Sequence, residues 1–291
     1  MRSSPALLNS VTYRRDLDRA LQWAIEDAGR YLSADLTDRL VPRGQVEADR
    51  ELLAALLTLR DPGPVPTAAA RAIDALLTAE VRERGVVEAE DLPRIADSGP
   101  LAHVALWQGD ITRLRIGGVV NAANSAMLGC RTPGHSCIDN AIHAASGPEL
   151  RNACAEHMRR RRTPEPTGTA TITPAFNLPA AAVIHTVGPI VTGRQPTAED
   201  ARLLASCYRA CLDAAERAGL DSIALCSVST GVFGYPIEKA AAVALNAVTQ
   251  WLGGPDGRGM FIVFDTFSPR DTEVYRELLT SARAQRSKET I

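Results

Sequence analysis

Cys130, His135 and Cys137 form a C-x4-H-x-C cluster within a short loop that also holds Gly129, Pro133 and Gly134. Two thiolates and one imidazole suit zinc, and three protein ligands leave a fourth position for water or substrate. The spacing is not that of the common zinc fingers, so a closed site completed by a distant Asp or His is the competing arrangement. Small and kinking residues around the ligands, with polar groups on both flanks, favour the open one: a single zinc ion per chain.

The flanks bring amides and a carboxylate. Asn121 and Asn124 follow the apolar run Gly118-Val119-Val120, where their side chains could meet sugar hydroxyls. Asn also stabilises turns by itself, and Asn124, nearer the cluster, is the stronger ligand candidate. Asp139 stands at the start of a helical stretch, where a carboxylate either complements the helix N-terminus or orients a nucleophile or a ribose hydroxyl. His143, four residues on, is a lone helical histidine and reads first as structural.

Two further loops bear on ligand binding. Ser229-Thr230-Gly231-Val232-Phe233-Gly234-Tyr235-Pro236 joins an apolar run to a helical pattern. Strand, glycine-bearing turn and helix N-terminus together offer backbone N–H groups to a phosphate. It is neither a Walker A loop nor a dinucleotide fingerprint. In Gln108-Gly109-Asp110-Ile111-Thr112, Asp110 is either a cap for a short turn or an acceptor for an exocyclic amine. Phe264 and Phe267 flank Asp265, and either one could stack on a base or belong to the core.

These groups need a frame. Leucines and alanines recur at helical spacing around Leu17–Ala24, Leu52–Leu57 and Ala72–Leu77, which predicts a helical N-terminal module over residues 1–95. From there to residue 291, short apolar runs alternate with helical patterns. Strands fit 104–107, 118–120, 182–187, 222–228 and 260–264; helices fit 138–158, 199–218, 236–252 and 271–285. Near-continuous apolar strands are buried on both faces, so the class is α/β with a mostly parallel or mixed sheet. Ligands of such sheets bind beyond the carboxyl ends of the strands, where the three loops lie.

The bulk composition excludes more than it assigns. With 291 residues, 45% hydrophobic and a net charge of −2, the chain has no global field to draw nucleic acid or an acidic membrane. The basic run Arg159–Arg162 reads as a solvated loop. No apolar stretch approaches the roughly 20 residues of a membrane helix, and Met1–Leu8 lacks a secretory core, so the expected location is cytoplasmic. Cys154, Cys207, Cys211 and Cys226 fall in apolar periodic segments and are expected in the core.

Taken in order, Gln108–Thr112, Val120–Asn124, Ile138–His143 and Ser229–Gly234 resemble the macrodomain family, and the Cys130/His135/Cys137 insertion resembles its zinc-dependent branch. The likeness spans roughly residues 102–285 and implies a three-layer α/β/α fold with a mixed central sheet, preceded by a small helical module. It implies binding of ADP-ribose and hydrolysis of its bond to a modified protein side chain, with Asp- or Glu-linked mono-ADP-ribose the natural target. Carried over by position, Asp110 binds the adenine amine, Ile111 meets the base through its backbone, and Phe264 stacks on it. Ser229, Thr230, Gly231 and Phe233 wrap the diphosphate. Asn124 holds the distal ribose, Ile138, Asp139 and Asn140 line that end, and Asn124 and Asp139 serve catalysis. The implied partner is a mono-ADP-ribosylated protein, with a lipoyl-carrier protein one candidate and ADP-ribose the product. Competing functions are a non-catalytic reader of ADP-ribosylated proteins, an O-acetyl-ADP-ribose deacetylase and a zinc-stabilised nucleic-acid module, the last disfavoured by the missing basic face.

Overall fold

The computed structural model describes residues 5–8, 10–254 and 259–289. The reading of the extreme N-terminus falls largely on residues 1–4, outside the described residues. The chain divides into two compact units, Met1–Val86 with Met127–Arg162 and Ala175–Pro179, and Val87–Ala126 with Thr163–Pro174 and Ala180–Ile291.

The first unit is helical: α1 (Pro5–Leu8), α2 (Val11–Ala28), α3 (Ala34–Thr37), α4 (Val46–Leu59), α5 (Thr67–Arg84), α6 (Ile138–Ser146) and α7 (Pro148–Arg161). The predicted periodic residues do the packing. Leu17, Ala20, Leu21 and Ala24 of α2 meet Leu53 and Leu56 of α4 and Ala72, Ile73, Leu76 and Leu77 of α5 in one buried cluster. Polar groups then fix the helices against one another. Arg60, just past α4, is buried and pairs with Asp27 of α2 at 2.9 Å. Arg50 of α4 pairs with Glu80 of α5 at 2.6 Å, and Tyr13 of α2 donates to the same carboxylate.

A single helix over 138–158 is not formed. Gly147 takes φ 89° and Pro148 begins α7; proline cannot continue the preceding ladder, and glycine reaches that φ without a Cβ clash. The basic run is the exposed last turn of α7 rather than a loop, an end where cations complement the helix dipole.

The second unit holds every named strand: β1 (Val87–Glu88), β2 (Val104–Gln108), β3 (Leu114–Arg115), β4 (Gly118–Ala123), β5 (Ala170–Pro174), β6 (Ala182–Val187), β7 (Ser222–Leu225) and β8 (Phe261–Thr266). The short β1 and β3 pair in parallel. The other six form one sheet in the order β2-β8-β7-β4-β6-β5, parallel throughout except for β5 on β6. That is the mixed sheet of the expected α/β class. β5 was not predicted: Thr171, Ile172 and Thr173 suit a strand, but Pro174 removes a ladder donor, which suits an edge. Helices α8 (Ala198–Arg217), α9 (Ile237–Leu252) and α10 (Pro269–Glu289) complete this unit. α8 opens with a full capping box between Thr197 and Asp200. Cys154, Cys207, Cys211 and Cys226 are buried free thiols, as expected.

Candidate functional site

The loop before α6 brings Cys130, His135 and Cys137 together. Their donor atoms lie within 4.8 Å of one another, and Cys130 Sγ is 3.2 Å from His135 Nδ1. All three residues are half-buried. Cys137 is also the N-cap of α6, its sulfur accepting the Asn140 N–H at 3.4 Å, while the Asn140 side chain donates to the His135 carbonyl at 3.0 Å. Asn140 thus fixes the backbone between two of the three ligands. Burial pushes the Cys137 thiol up to about 11, with the Asn140 N–H pulling the other way. Two soft sulfurs and an imidazole nitrogen at this spacing fit zinc.

Asp139 lies in the first turn of α6 and is buried, 3.5 Å from His143 Nε2. His143 is buried too, one helical turn further on. Ile138 and Asn140 remain half-buried beside Asp139. One short helix N-terminus therefore presents Ile138, Asp139 and Asn140 together, directly after the last metal-ligand candidate.

The second unit holds the other predicted residues at the carboxyl ends of its strands. Asp110, past β2, caps a short 3-10 turn: its Oδ1 accepts the Thr112 N–H at 3.1 Å and the Thr112 hydroxyl at 2.6 Å. Ile111 is buried behind it. Asn124 follows β4 and its Oδ1 accepts the Ala126 N–H at 3.0 Å, which fixes the side chain in the turn leading to the metal loop. Asn121 is not in a turn. It sits inside β4, fully buried, with its amide 3.2 Å from His185 Nδ1. An amide donating there puts the ring proton on Nε2, which is 2.9 Å from Thr173 Oγ1. This Asn–His–Thr bridge across β4, β6 and β5 escaped sequence reading, because the partners are distant in sequence and a buried histidine carries no local signature.

The Ser229 loop is built as a cradle. Ser229 takes φ 67°, and its buried hydroxyl has no hydrogen-bond partner among the described residues. Thr230 donates to the Ser227 carbonyl at 2.9 Å, and Gly234 N–H closes the turn onto Gly231 at 3.0 Å. The Phe233 carbonyl accepts from Val191 N–H at 2.7 Å, tying the loop to the segment after β6. Gly188, on that segment, leaves the room that Ser229 needs: a Cβ there would stand 2.0 Å from Ser229 Oγ. The buried Tyr208 hydroxyl donates to the Cys226 carbonyl and accepts the Val228 N–H, both at 3.1 Å, bracing the chain as it leaves β7. Neither Gly188 nor Tyr208 was singled out from sequence.

Phe264 does not fit the stacking role expected of it. Its side chain is 0% exposed, and its ring lies 5.0 Å from that of Tyr275, centroid to centroid. β8 runs two residues beyond the expected end, to Thr266, so the first residue past the strand is Phe267, 73% exposed. A ring packed on both sides has no face for a base; Phe267 has one. Asp265 between them is buried, with Oδ1 unpartnered among the described residues, and burial, then the Asp110 charge, pushes its carboxyl well above the usual range.

Among the described residues no helix is long and apolar enough to cross a membrane.

Comparison with known proteins gives a consistent picture. The macro domain family model matches residues 120–244. A protein-ADP-ribose hydrolase of Treponema medium is 44% identical over 229 residues, 79% of this chain and 87% of that protein. One from Staphylococcus aureus (strain MRSA252) is 37% identical over 257 residues, 88% of this chain and 94% of that protein. Among solved structures, the Trypanosoma brucei macrodomain in complex with ADP-ribose is 30% identical with a TM-score of 0.61, covering 77% of this chain and 94% of that one. The Oceanobacillus iheyensis macrodomain with ADP is 39% identical with a TM-score of 0.56, covering 62% and 92%.

Proposed function

We propose that this chain, which belongs to the macro domain family, is a zinc-dependent protein-ADP-ribose hydrolase that removes mono-ADP-ribose from modified protein side chains. The observation that carries the reading is the convergence of the Cys130, His135 and Cys137 donor atoms in a chain 44% identical over 229 residues to a protein-ADP-ribose hydrolase.

The second unit supplies recognition. Asp110 accepts the adenine amine, the Ile111 backbone meets the base edge, and Phe267 stacks on its face in place of Phe264. Ser229, Thr230, Gly231 and Phe233 surround the diphosphate, and the unpartnered Ser229 hydroxyl offers it a hydrogen bond. Asn124 holds the distal ribose, and Ile138 and Asn140 line that end. Asp139, fixed in the first turn of α6, orients a ribose hydroxyl or the attacking water. Cys130, His135 and Cys137 would hold the zinc ion, which when bound would supply Lewis-acid polarisation of an oxygen or a water of pKa lowered towards about 7. Binding at adenine and diphosphate positions the scissile bond, converting affinity into orientation.

An ester to Asp or Glu is the favoured linkage, since an acyl bond needs modest activation. A mono-ADP-ribosylated lipoyl-carrier protein is the first substrate to try. The test compares release of ADP-ribose from a modified protein with deacetylation of free O-acetyl-ADP-ribose. Faster turnover of the protein-linked form supports the reading. Turnover of the acetyl ester alone makes the chain a small-molecule esterase, and tight ADP-ribose binding with no turnover makes it a reader.

A further inference from the structure

The N-terminal helices contribute none of the residues assigned to the site above, yet two arginines join them to the metal loop. A helix ends with backbone carbonyls that have no partner within it. At the end of α4 these carbonyls are taken by guanidinium groups from elsewhere in the same unit. Arg151 of α7, 5% exposed, donates through Nη1 to the carbonyls of Leu57 at 2.6 Å and Arg60 at 2.9 Å. Arg131, next to Cys130 in the loop, donates to the Leu59 carbonyl and to Asp61 Oδ1. Both cations also face the negative end of the α4 dipole.

The same Arg151 guanidinium turns its Nε to the Leu128 carbonyl, 2.8 Å away. Leu128 is two residues before Cys130, and Arg131 is one after it. The backbone on each side of this ligand candidate is therefore held to α4. Asn152, beside Arg151, accepts the Gly63 N–H at 2.8 Å, which repeats the link one residue on. Behind α4, the buried Arg60–Asp27 pair extends the connection to α2.

We propose that the N-terminal helical segment is the scaffold of the metal centre: the α4 carboxyl end, gripped by Arg131 and Arg151, fixes the backbone that carries Cys130. Arg131 and Arg151 are positioning residues. Their guanidinium groups bond to backbone carbonyls and to Asp61, and they act through the loop conformation. The inference rests on the zinc reading of the loop for its affinity effect, but not for its effect on loop order.

Arg131→Ala and Arg151→Met are compared with Asp49→Asn by zinc competition against a colorimetric chelator, amide hydrogen exchange and thermal unfolding. Asp49 is a buried partner of Arg14 at the opposite end of α4, so its substitution loosens the helices without touching the loop. Loss of groups that orient metal ligands typically weakens metal binding by about 10–100-fold. Arg131 is 40% exposed, so Arg131→Ala should fold as wild type, bind zinc at least about tenfold more weakly, and exchange loop amides 128–137 faster. Asp49→Asn should melt earlier and keep wild-type zinc affinity. If Arg151→Met does not fold, Arg131→Ala decides. Wild-type exchange in the loop of Arg131→Ala overturns the scaffold whether or not zinc binds. Absence of zinc binding by the wild-type protein overturns the metal reading, and the exchange comparison still judges the scaffold.

Discussion

Phe264 and Phe267 are three residues apart and should respond to truncation in opposite ways. Phe264→Ala empties a fully buried site against Tyr275. Replacing a core phenylalanine in this way costs about 3–5 kcal/mol. In a chain of this size each kcal/mol lowers the melting temperature by roughly 2–4 °C, so a drop of about 6–20 °C is expected. Phe267→Ala removes a ring that is already 73% exposed, and such a surface change stays within about 0.5 kcal/mol. Its cost should appear in binding. Aromatic stacking on a base is worth about 1–3 kcal/mol, a weakening of roughly 5- to 150-fold. Thermal melts together with calorimetric titration of ADP-ribose and of ribose 5-phosphate separate the two roles. The phosphate, which has no base, should bind Phe267→Ala and wild type alike. If Phe267→Ala binds ADP-ribose as wild type does, or Phe264→Ala loses affinity without losing stability, the assignment of the stacking ring is wrong.

Other substitutions probe the buried carboxylates and the diphosphate loop. Asp265 has its carboxyl raised by burial and by Asp110. A raised carboxyl costs stability as pH climbs through its ordinary value of 3.8, so Asp265→Asn should raise the melting temperature at neutral pH and lose that gain in acid. A gain that persists below pH 3.8 refutes the titration argument. Glu80 behaves oppositely: burial pushes its carboxyl up, but hydrogen bonding and charge from Arg50, with Tyr13, hold it below the usual value. Its stabilisation is present above 4.5 and fades as pH falls through the lowered folded value, so the destabilisation of Glu80→Gln at neutral pH should shrink in acid in melts across that range. Gly188→Ala drives a methyl group into Ser229 Oγ. Overpacking of this kind costs about 1–3 kcal/mol, and titration with ADP-ribose should show the loss at the diphosphate loop rather than in far-ultraviolet dichroism.

Much of this was legible in the sequence where a period or a short spacing carries the signal. The helical recurrence of Leu17, Leu21, Leu53, Leu56, Ile73 and Leu76 marks the faces that form one buried cluster. Cys130, His135 and Cys137 are close enough along the chain for their convergence to be read locally. Contacts between residues far apart in sequence were hidden. Arg151 looks like any helical arginine until Leu57, Arg60 and Leu128 are seen to converge on it. His185 is one apolar-strand residue among several until Asn121 and Thr173 close on its ring. Strand ends were hidden for a different reason. β8 is buried on both faces throughout Phe261–Thr266, so alternation gives no stop signal, and its last two residues, Asp265 and Thr266, lie beyond the end expected at Phe264.

On this proposal the loop cysteines and histidine serve cleavage of protein-linked ADP-ribose. The most direct measurement is release of ADP-ribose from a mono-ADP-ribosylated protein by wild type and by Cys130→Ala, each with zinc content determined on the same preparation. The expected result is about one zinc per chain and turnover in wild type, and loss of both in a Cys130→Ala protein that still binds ADP-ribose. Undiminished release by a metal-free Cys130→Ala protein would contradict it.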